Sequence, residues 1–149
     1  MDDGIEQVHK SLEPGRISRG AVDVSGRLLG WISGIEGYAG HAWELHPLGV
    51  HPDFQGQGIG TRLVRDFEQQ VLARGAHTVY LGSDDETSHT SLAGVDLYPD
   101  VLGNLSKIKS VDRHPFVFYQ KLGYTIVGVI PDANGFGKPD ILMAKRIKQ

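Results

Sequence analysis

The sequence contains no cysteine. That excludes disulfides, thiolate metal ligands and a cysteine nucleophile. Lysine is missing from a long internal stretch, with none between Lys10 and Lys107. A P-loop cannot be built there, because it needs a lysine directly behind its last glycine. No apolar run approaches the ~20 residues of a membrane-spanning helix. The first ten residues, MDDGIEQVHK, are acidic and lack the apolar centre of a signal peptide. These absences predict a cytoplasmic protein with no membrane partner. There is no excess of basic residues either: 15 Lys and Arg against 18 Asp and Glu leave a formal net charge of −3. Nucleic-acid-binding domains are usually basic, so no nucleic-acid partner is expected. At 149 residues the chain is expected to be one domain, 1–149, long enough to bury a core.

What the sequence does have is glycine at a telling place. Residues 43–60 read WELHPLGVHPDFQGQGIG. The first half has the composition of a strand and the second of a glycine-rich elbow. Residues 61–75, TRLVRDFEQQVLARG, have the pattern of a helix: Ile59, Leu63, Phe67 and Val71 recur every four residues, and Gly75 suits the end. A strand, an elbow and a helix start make an anion site, because the first amides of a helix are unpaired and its dipole is positive there. Gly56, Gly58 and Gly60 would let a phosphate reach the main chain with no Cβ in the way. The dinucleotide fingerprint fails, since Thr61 stands where a small residue is needed.

The remaining chain reads as follows. Ile5, Val8 and Leu12 have helical spacing, ended by Pro14-Gly15. Residues 16–24 and 28–35 are two strands around the turn signal Ser25-Gly26. Residues 43–51 are a third. Its apolar parity slips at His46-Pro47, where proline cannot join a ladder, so a β-bulge is expected. A short strand over 78–81 follows the helix, then an acidic loop over 82–94. Residues 95–110 are ambiguous, with a short helix among the options. A helix over 113–122, strands over 125–130 and 141–146, and a loop over 131–140 complete the chain. The order β-β-β-α-β-α-β-β predicts an α/β fold (in the α+β sense) with a mixed central sheet and helices on both faces.

At this point the residues resemble a known superfamily. Gln55-Gly56-Gln57-Gly58-Ile59-Gly60 is similar to the Gln/Arg-x-x-Gly-x-Gly/Ala loop with which the Gcn5-related N-acetyltransferases cradle the pyrophosphate of acetyl-CoA. Trp43 to Leu48, Ile59 to Val64, Tyr80 to Asp85, His114-Pro115 with Phe118-Tyr119, and Val129 to Gly135 resemble the aminoglycoside 6'-N-acetyltransferases of that superfamily. The likeness runs from about residue 26 to 145. It implies the superfamily fold, with a splayed, bulged strand whose free main-chain groups at Leu48, Gly49 and Val50 pair with the pantetheine arm. It also implies a phosphate cradle at Gln55, Gly56, Gln57, Gly58, Ile59, Gly60 and Thr61. The N-terminus is shortened, with 15 residues before the first expected strand, where the superfamily has a further strand and one or two helices.

The implied reaction is attack of an amine on the acetyl thioester, with acetyl-CoA as co-substrate. An amine must lose a proton, an oxyanion must be stabilised, and the departing thiolate is helped by an acid. Glu44 and His46 are two apart on a strand and share a face, so either could take the proton; an imidazole titrates in the useful range. Either could also hold a cationic substrate. Tyr119, in Phe-Tyr-Gln-Lys-Leu-Gly-Tyr, matches the tyrosine that the superfamily sets near the coenzyme sulfur. Asp84 and Asp85 follow a strand's carboxyl end, a usual ligand position in open α/β sheets, and Asp140 precedes the last strand; these acids are candidates for holding a polycationic amine. His41, His46 and His51 are five apart, which suits no metal geometry, and no metal is expected.

The expected activity is acetylation of an aminoglycoside at the 6' amine, conferring antibiotic resistance. The alternatives are acetylation of a polyamine or other small amine, and an acetyl-CoA-binding module without catalysis. A homodimer is expected, since many enzymes of this kind pair through their C-terminal strands and an uncovered sheet edge invites pairing.

Overall fold

A computed structural model describes residues 9–149. The helical spacing of Ile5 and Val8 lies outside the described residues; residues 9–11 are helical, and Leu12 is exposed. Six strands and three α-helices follow, and the strands belong to a mixed sheet. The chain divides into two compact units, residues 1–79 with 146–149, and residues 80–145. Each is described by itself.

The first unit begins with a meander. β1 (Arg16–Val22) and β2 (Leu28–Gly37) are antiparallel, with Arg16 opposite Ile35 and Gly20 opposite Trp31. The turn between them is held by one carboxylate. Asp23 Oδ1 accepts from the amide and hydroxyl of Ser25 at 2.8 and 2.6 Å and from the amide of Arg27 at 3.0 Å. An aspartate that mimics a turn's main chain is a common device. β3 (Ala42–Val50) returns antiparallel to β2.

The expected bulge is present. Gly34 stands opposite Leu45 and Ile32 opposite Leu48, so His46 and Pro47 together face Ser33 alone. The His46–Pro47 peptide is cis. Trp43 and Leu45, on one face of β3, are buried with Ile17 and Ile32. Helix α1 (Ile59–Ala73) supplies Leu63, Val64, Phe67 and Val71 to this core. Its approach depends on Gly34, where a Cβ would overlap the Phe67 ring. Outside the core, Arg19 of β1 clamps Asp66 of α1 through two bonds of 2.6 and 2.9 Å.

In the second unit the strands lie in the order β4 (Thr78–Asp84, entering from the first unit), β6 (Asp140–Arg146), β5 (Thr125–Ile130). β4 extends three residues beyond the expected end at 81, because Ser83 is buried and continues the alternation. The ambiguous 95–110 segment contains a short helix, α2 (Val101–Ser106), whose start is capped by Asp100 accepting from Gly103 N at 3.1 Å. Helix α3 (Phe116–Lys121) starts three residues later than the pattern predicts. Arg113 has φ +49° and cannot be helical. Leu92, Leu97 and Ile141 form a core here, packed by Val101, Leu105, Ile108, Ile126 and Val129. Among the described residues no helix is long and apolar enough to cross a membrane.

Candidate active site

The glycine elbow sits in the first unit, between β3 and α1. A 3-10 turn (Pro52–Phe54) leads into it, with Asp53 N donating to His51 Nδ1 at 3.2 Å. Gln55 is extended, and its Nε2 donates to the Val50 carbonyl at 3.1 Å, tying the elbow back to the strand end. Gly56 (φ +74°) and Gly58 (φ +82°) are left-handed, a region that other residues enter at a cost. An added Cβ at either would meet no protein atom within 4 Å, so the space above them is open. Gly58 caps α1 without a side chain, and the first turn carries no acid. The first helical bond is Arg62 N to Gly58 O, at 3.1 Å. Among the described residues, no amide from Gly56 to Thr61 donates to a protein acceptor. A row of unpaired amides at the positive end of a fifteen-residue helix fits a pyrophosphate.

Upstream, Leu48, Gly49 and Val50 pair with Ile32, Trp31 and Gly30 of β2. A groove of about 310 Å³ passes over Gly30, Trp31, Gly49 and Val50. The Arg27 guanidinium lies 4.9 Å from the centre of the Phe54 ring.

Glu44 and His46 fall on the face of β3 opposite the buried Trp43 and Leu45. Arg16, Ile35 and Glu44 make one row across three strands. His46 is exposed and lines a cavity of about 220 Å³ with Lys10, Arg16, Ser33, Ile35 and Pro47. Glu44 thus stands in the row of Arg16, which lines this cavity with His46.

The acids of the second unit separate by role. Asp84 ends β4 exposed, and Asn134 Nδ2 donates to its carboxylate. Asp85 turns inward and is buried. Its oxygens accept from His89 N at 2.7 Å, Thr90 N at 2.9 Å and Thr90 Oγ1 at 2.6 Å. Burial pushes its pKa up, but the Thr90 hydroxyl and the amides of His89 and Thr90 outweigh it, and the net shift is downward. Adjacent residues at a strand end point to opposite sides, so the sequence pair Asp84-Asp85 is one outward carboxylate and one that orders its own loop. Asp140 opens β6 against Gly82 of β4, where a Cβ would strike its carboxylate.

Tyr119 is buried in α3, edge-on to Phe118 at 5.0 Å and to Tyr124 at 5.7 Å. Burial raises its pKa to about 12, so the phenol keeps its proton at any working pH. Among the described residues no group of three or more His, Asp or Glu side chains could hold a metal.

Two buried polar side chains carry no sequence signal of their own. Ser33 sits in an apolar strand, and only its place opposite the bulge marks it. His114 is buried between β4 and α3, and its ring nitrogens serve the main chain on both sides.

A bulged strand, an elbow of bare amides and a following helix define a fold that binds a coenzyme through its phosphates. Residues 5–103 match the acetyltransferase (GNAT) family, and the chain belongs to it. Among solved structures, it is similar to an aminoglycoside 6'-N-acetyltransferase complexed with coenzyme A. That likeness has 45% identity and a TM-score of 0.95 over 100% of this chain and 82% of that one. The aminoglycoside 6'-N-acetyltransferase from Enterococcus faecium is similar at 45% identity and a TM-score of 0.93, over 99% of this chain and 82% of that one. Among curated proteins, acetyltransferase ECA0875 of Pectobacterium atrosepticum is 41% identical over 59 residues, 40% of either chain. The match thus spans less than half the length of that curated relative.

Proposed function

We propose that this chain is an acetyl-CoA-dependent N-acetyltransferase that modifies an aminoglycoside at its 6' amine. The observation that carries the acceptor assignment is the 45% identity, across the whole chain, to an aminoglycoside 6'-N-acetyltransferase complexed with coenzyme A. The open amides from Gly56 to Thr61 support the coenzyme assignment.

On this reading residues 1–149 act as one N-acetyltransferase domain. Gln55 to Thr61 hold the pyrophosphate, and the main chain of Leu48, Gly49 and Val50 holds the arm that ends in the thioester. His46 or Glu44 takes the ammonium proton. The freed amine bonds to the acetyl carbon, an oxyanion forms, and the C–S bond breaks. A main-chain amide near Leu48 is assigned to the oxyanion. Tyr119 donates a hydrogen bond to the departing sulfur. With a pKa of about 12 against about 8.5 for an ordinary thiol, the phenol polarises the leaving group without yielding its proton. Asp84 and Asp140 attract the cationic acceptor, with Asp85 holding the loop beside them. Acetylation removes one positive charge and weakens the drug's hold on ribosomal RNA, which is resistance. The protein works in the cytoplasm as a homodimer.

The test is thiol release from acetyl-CoA with a panel of amines. Release with 6'-amino aminoglycosides, and none with 6'-hydroxyl analogues, is expected. Preference for spermidine would transfer the assignment to polyamines, and coenzyme binding without turnover on any amine would make the chain a binding module. Light scattering that finds only monomer would remove the dimer.

A further inference from the structure

Asp84 ends β4 exposed, where a carboxylate on its own would sample several rotamers. Asn134 Nδ2 donates to its Oδ1, and among the described residues no other group donates to this carboxylate. The donor sits on a braced loop. Asn134 N donates to Lys138 O at 3.0 Å, and Lys138 N donates to Gly135 O at 2.9 Å. Gly135 N and Gly137 N both donate to Asp132, the first to its main-chain oxygen at 3.0 Å and the second to its Oδ1 at 2.7 Å. Two further bonds of 2.9 Å, Gly94 N to Gly137 O and Asp85 N to Pro139 O, tie the loop to its neighbour. Gly94 and Gly137 lie so close that a Cβ at 137 would overlap the Gly94 main chain. A donor held this firmly can fix the rotamer of its acceptor.

We propose that Asn134 is a positioning residue for acceptor selection: its neutral amide fixes the Asp84 carboxylate on the sheet face it shares with Asp140, and leaves the charge of Asp84 uncancelled for a polycationic amine. The inference rests on the acetyltransfer reading, with Asp84 holding the acceptor. The shared face follows from the period of the strand. Gly82 and Asp84 point to one side of β4, opposite the buried Val79, Leu81 and Ser83. The Asp140 carboxylate occupies the space beside Gly82 that a Cβ would take.

The chemistry of the donor decides the effect. A lysine or arginine at 134 could hold the carboxylate as firmly, but it would cancel the charge that draws a cation. An amide orients the carboxylate and carries no charge, and the remaining lone pairs stay open to an ammonium. Rotamer freedom given up before binding is not lost again on binding. The gain grows with the number of ammonium groups, because each further charge meets a carboxylate already in place.

The experiment measures kcat and both KM values for the wild type, Asn134→Ala, Asn134→Leu, Asp84→Asn and the Asp84→Asn/Asn134→Leu double variant, with 6'-amino aminoglycosides of high and low amine count. Asn134→Leu keeps the volume and removes the donor. It is expected to raise the acceptor KM roughly 3- to 30-fold, the scale of a hydrogen bond to a charged group. The values of kcat and of KM for acetyl-CoA should stay within about twofold, the pattern of lost binding rather than lost chemistry. Asn134→Ala should behave alike, and the rise should be larger for the acceptor with more amines. In the Asp84→Asn background Asn134→Leu should add nothing. A wild-type acceptor KM in Asn134→Leu beside a raised one in Asn134→Ala would mean packing alone and would overturn the proposal. So would a loss additive with Asp84→Asn, or one shared equally by kcat and both KM values. An unchanged acceptor KM in Asp84→Asn would remove Asp84 as the holder of the acceptor and the role of Asn134 with it, leaving acetyltransfer intact. If the wild type turns over no amine, acetyltransfer itself fails; calorimetric titration of the wild type and Asn134→Leu with the same aminoglycosides then decides, and equal affinities or no binding would sink the proposal.

Discussion

His114 Nε2 lies 2.9 Å from the main-chain oxygen of Asp84, while its other ring nitrogen, Nδ1, accepts the amide of Phe116 at 3.1 Å. Because Nδ1 is an acceptor, Nε2 must carry the hydrogen and donate it, which selects one neutral tautomer. The ring is buried, and its own amide is anchored to Ser110 Oγ at 2.9 Å. One side chain thus joins the end of β4 to the first turn of α3, the helix that carries Tyr119. His114→Ala removes the ring partner of the part-buried Asp84 carbonyl and of the buried Phe116 amide. We expect a loss of about 2–4 kcal/mol, seen as a midpoint roughly 5–15 °C lower in thermal unfolding. An unchanged midpoint would mean that water replaces the ring at no cost.

Gly58 offers a clean separation of stability from binding. A Cβ there meets no protein atom, but φ is +82°. Gly58→Ala should therefore cost about 1–2 kcal/mol of stability, the penalty of a left-handed alanine. The new methyl would project where a phosphate must approach the amides. The expected result is a fall of tenfold or more in acetyl-CoA affinity by calorimetry, a loss of about 1.4 kcal/mol or greater. An affinity unchanged in a folded variant would place the phosphates elsewhere.

The helix α1, its elbow and the hairpin were legible because each rests on local chemistry. The four-residue spacing from Ile59 to Val71 can only be an amphipathic helix, and glycines at 56 and 58 flank a turn that needs left-handed backbone. The bulge was readable from the parity slip at His46-Pro47. What the pattern could not supply was long-range. Nothing near Ser33 says that its hydroxyl will be buried beside His46, since that follows from strand pairing thirteen residues away. The two aspartates at 84 and 85 look alike in sequence. Only the loop's return through His89 and Thr90 turns Asp85 inward.

Asp85 also makes a prediction about acid stability. Its folded pKa lies below the ordinary 3.8, so the unfolded chain binds this proton first as pH falls. Its contribution is complete above pH 3.8 and is lost as pH drops through the folded value. Asp85→Asn keeps the shape but sets an amide against three donors, at a cost of about 2–3 kcal/mol near neutral pH. Urea unfolding between pH 2 and 7 should find the variant less stable at pH 7, with the gap narrowing toward pH 2. A gap constant with pH would show that the charge is not what the loop uses.

Tyr119 is the residue on which the leaving-group assignment depends. Its pKa of about 12 predicts that no alkaline limb from this phenol appears in the kcat profile below about pH 11, whereas an ordinary tyrosine would begin to titrate near 10. Tyr119→Phe removes the donor while keeping the ring against Phe118 and Tyr124. If the hydroxyl stabilises the departing sulfur, kcat should fall roughly 10- to 100-fold, with KM for acetyl-CoA changed less than threefold. The loss should lessen with a coenzyme analogue whose thiol is more acidic, since a better leaving group needs less help. A variant with unaltered kcat would return Tyr119 to the core as a packing residue, and an equal loss with both coenzymes would place its effect on a step other than C–S cleavage.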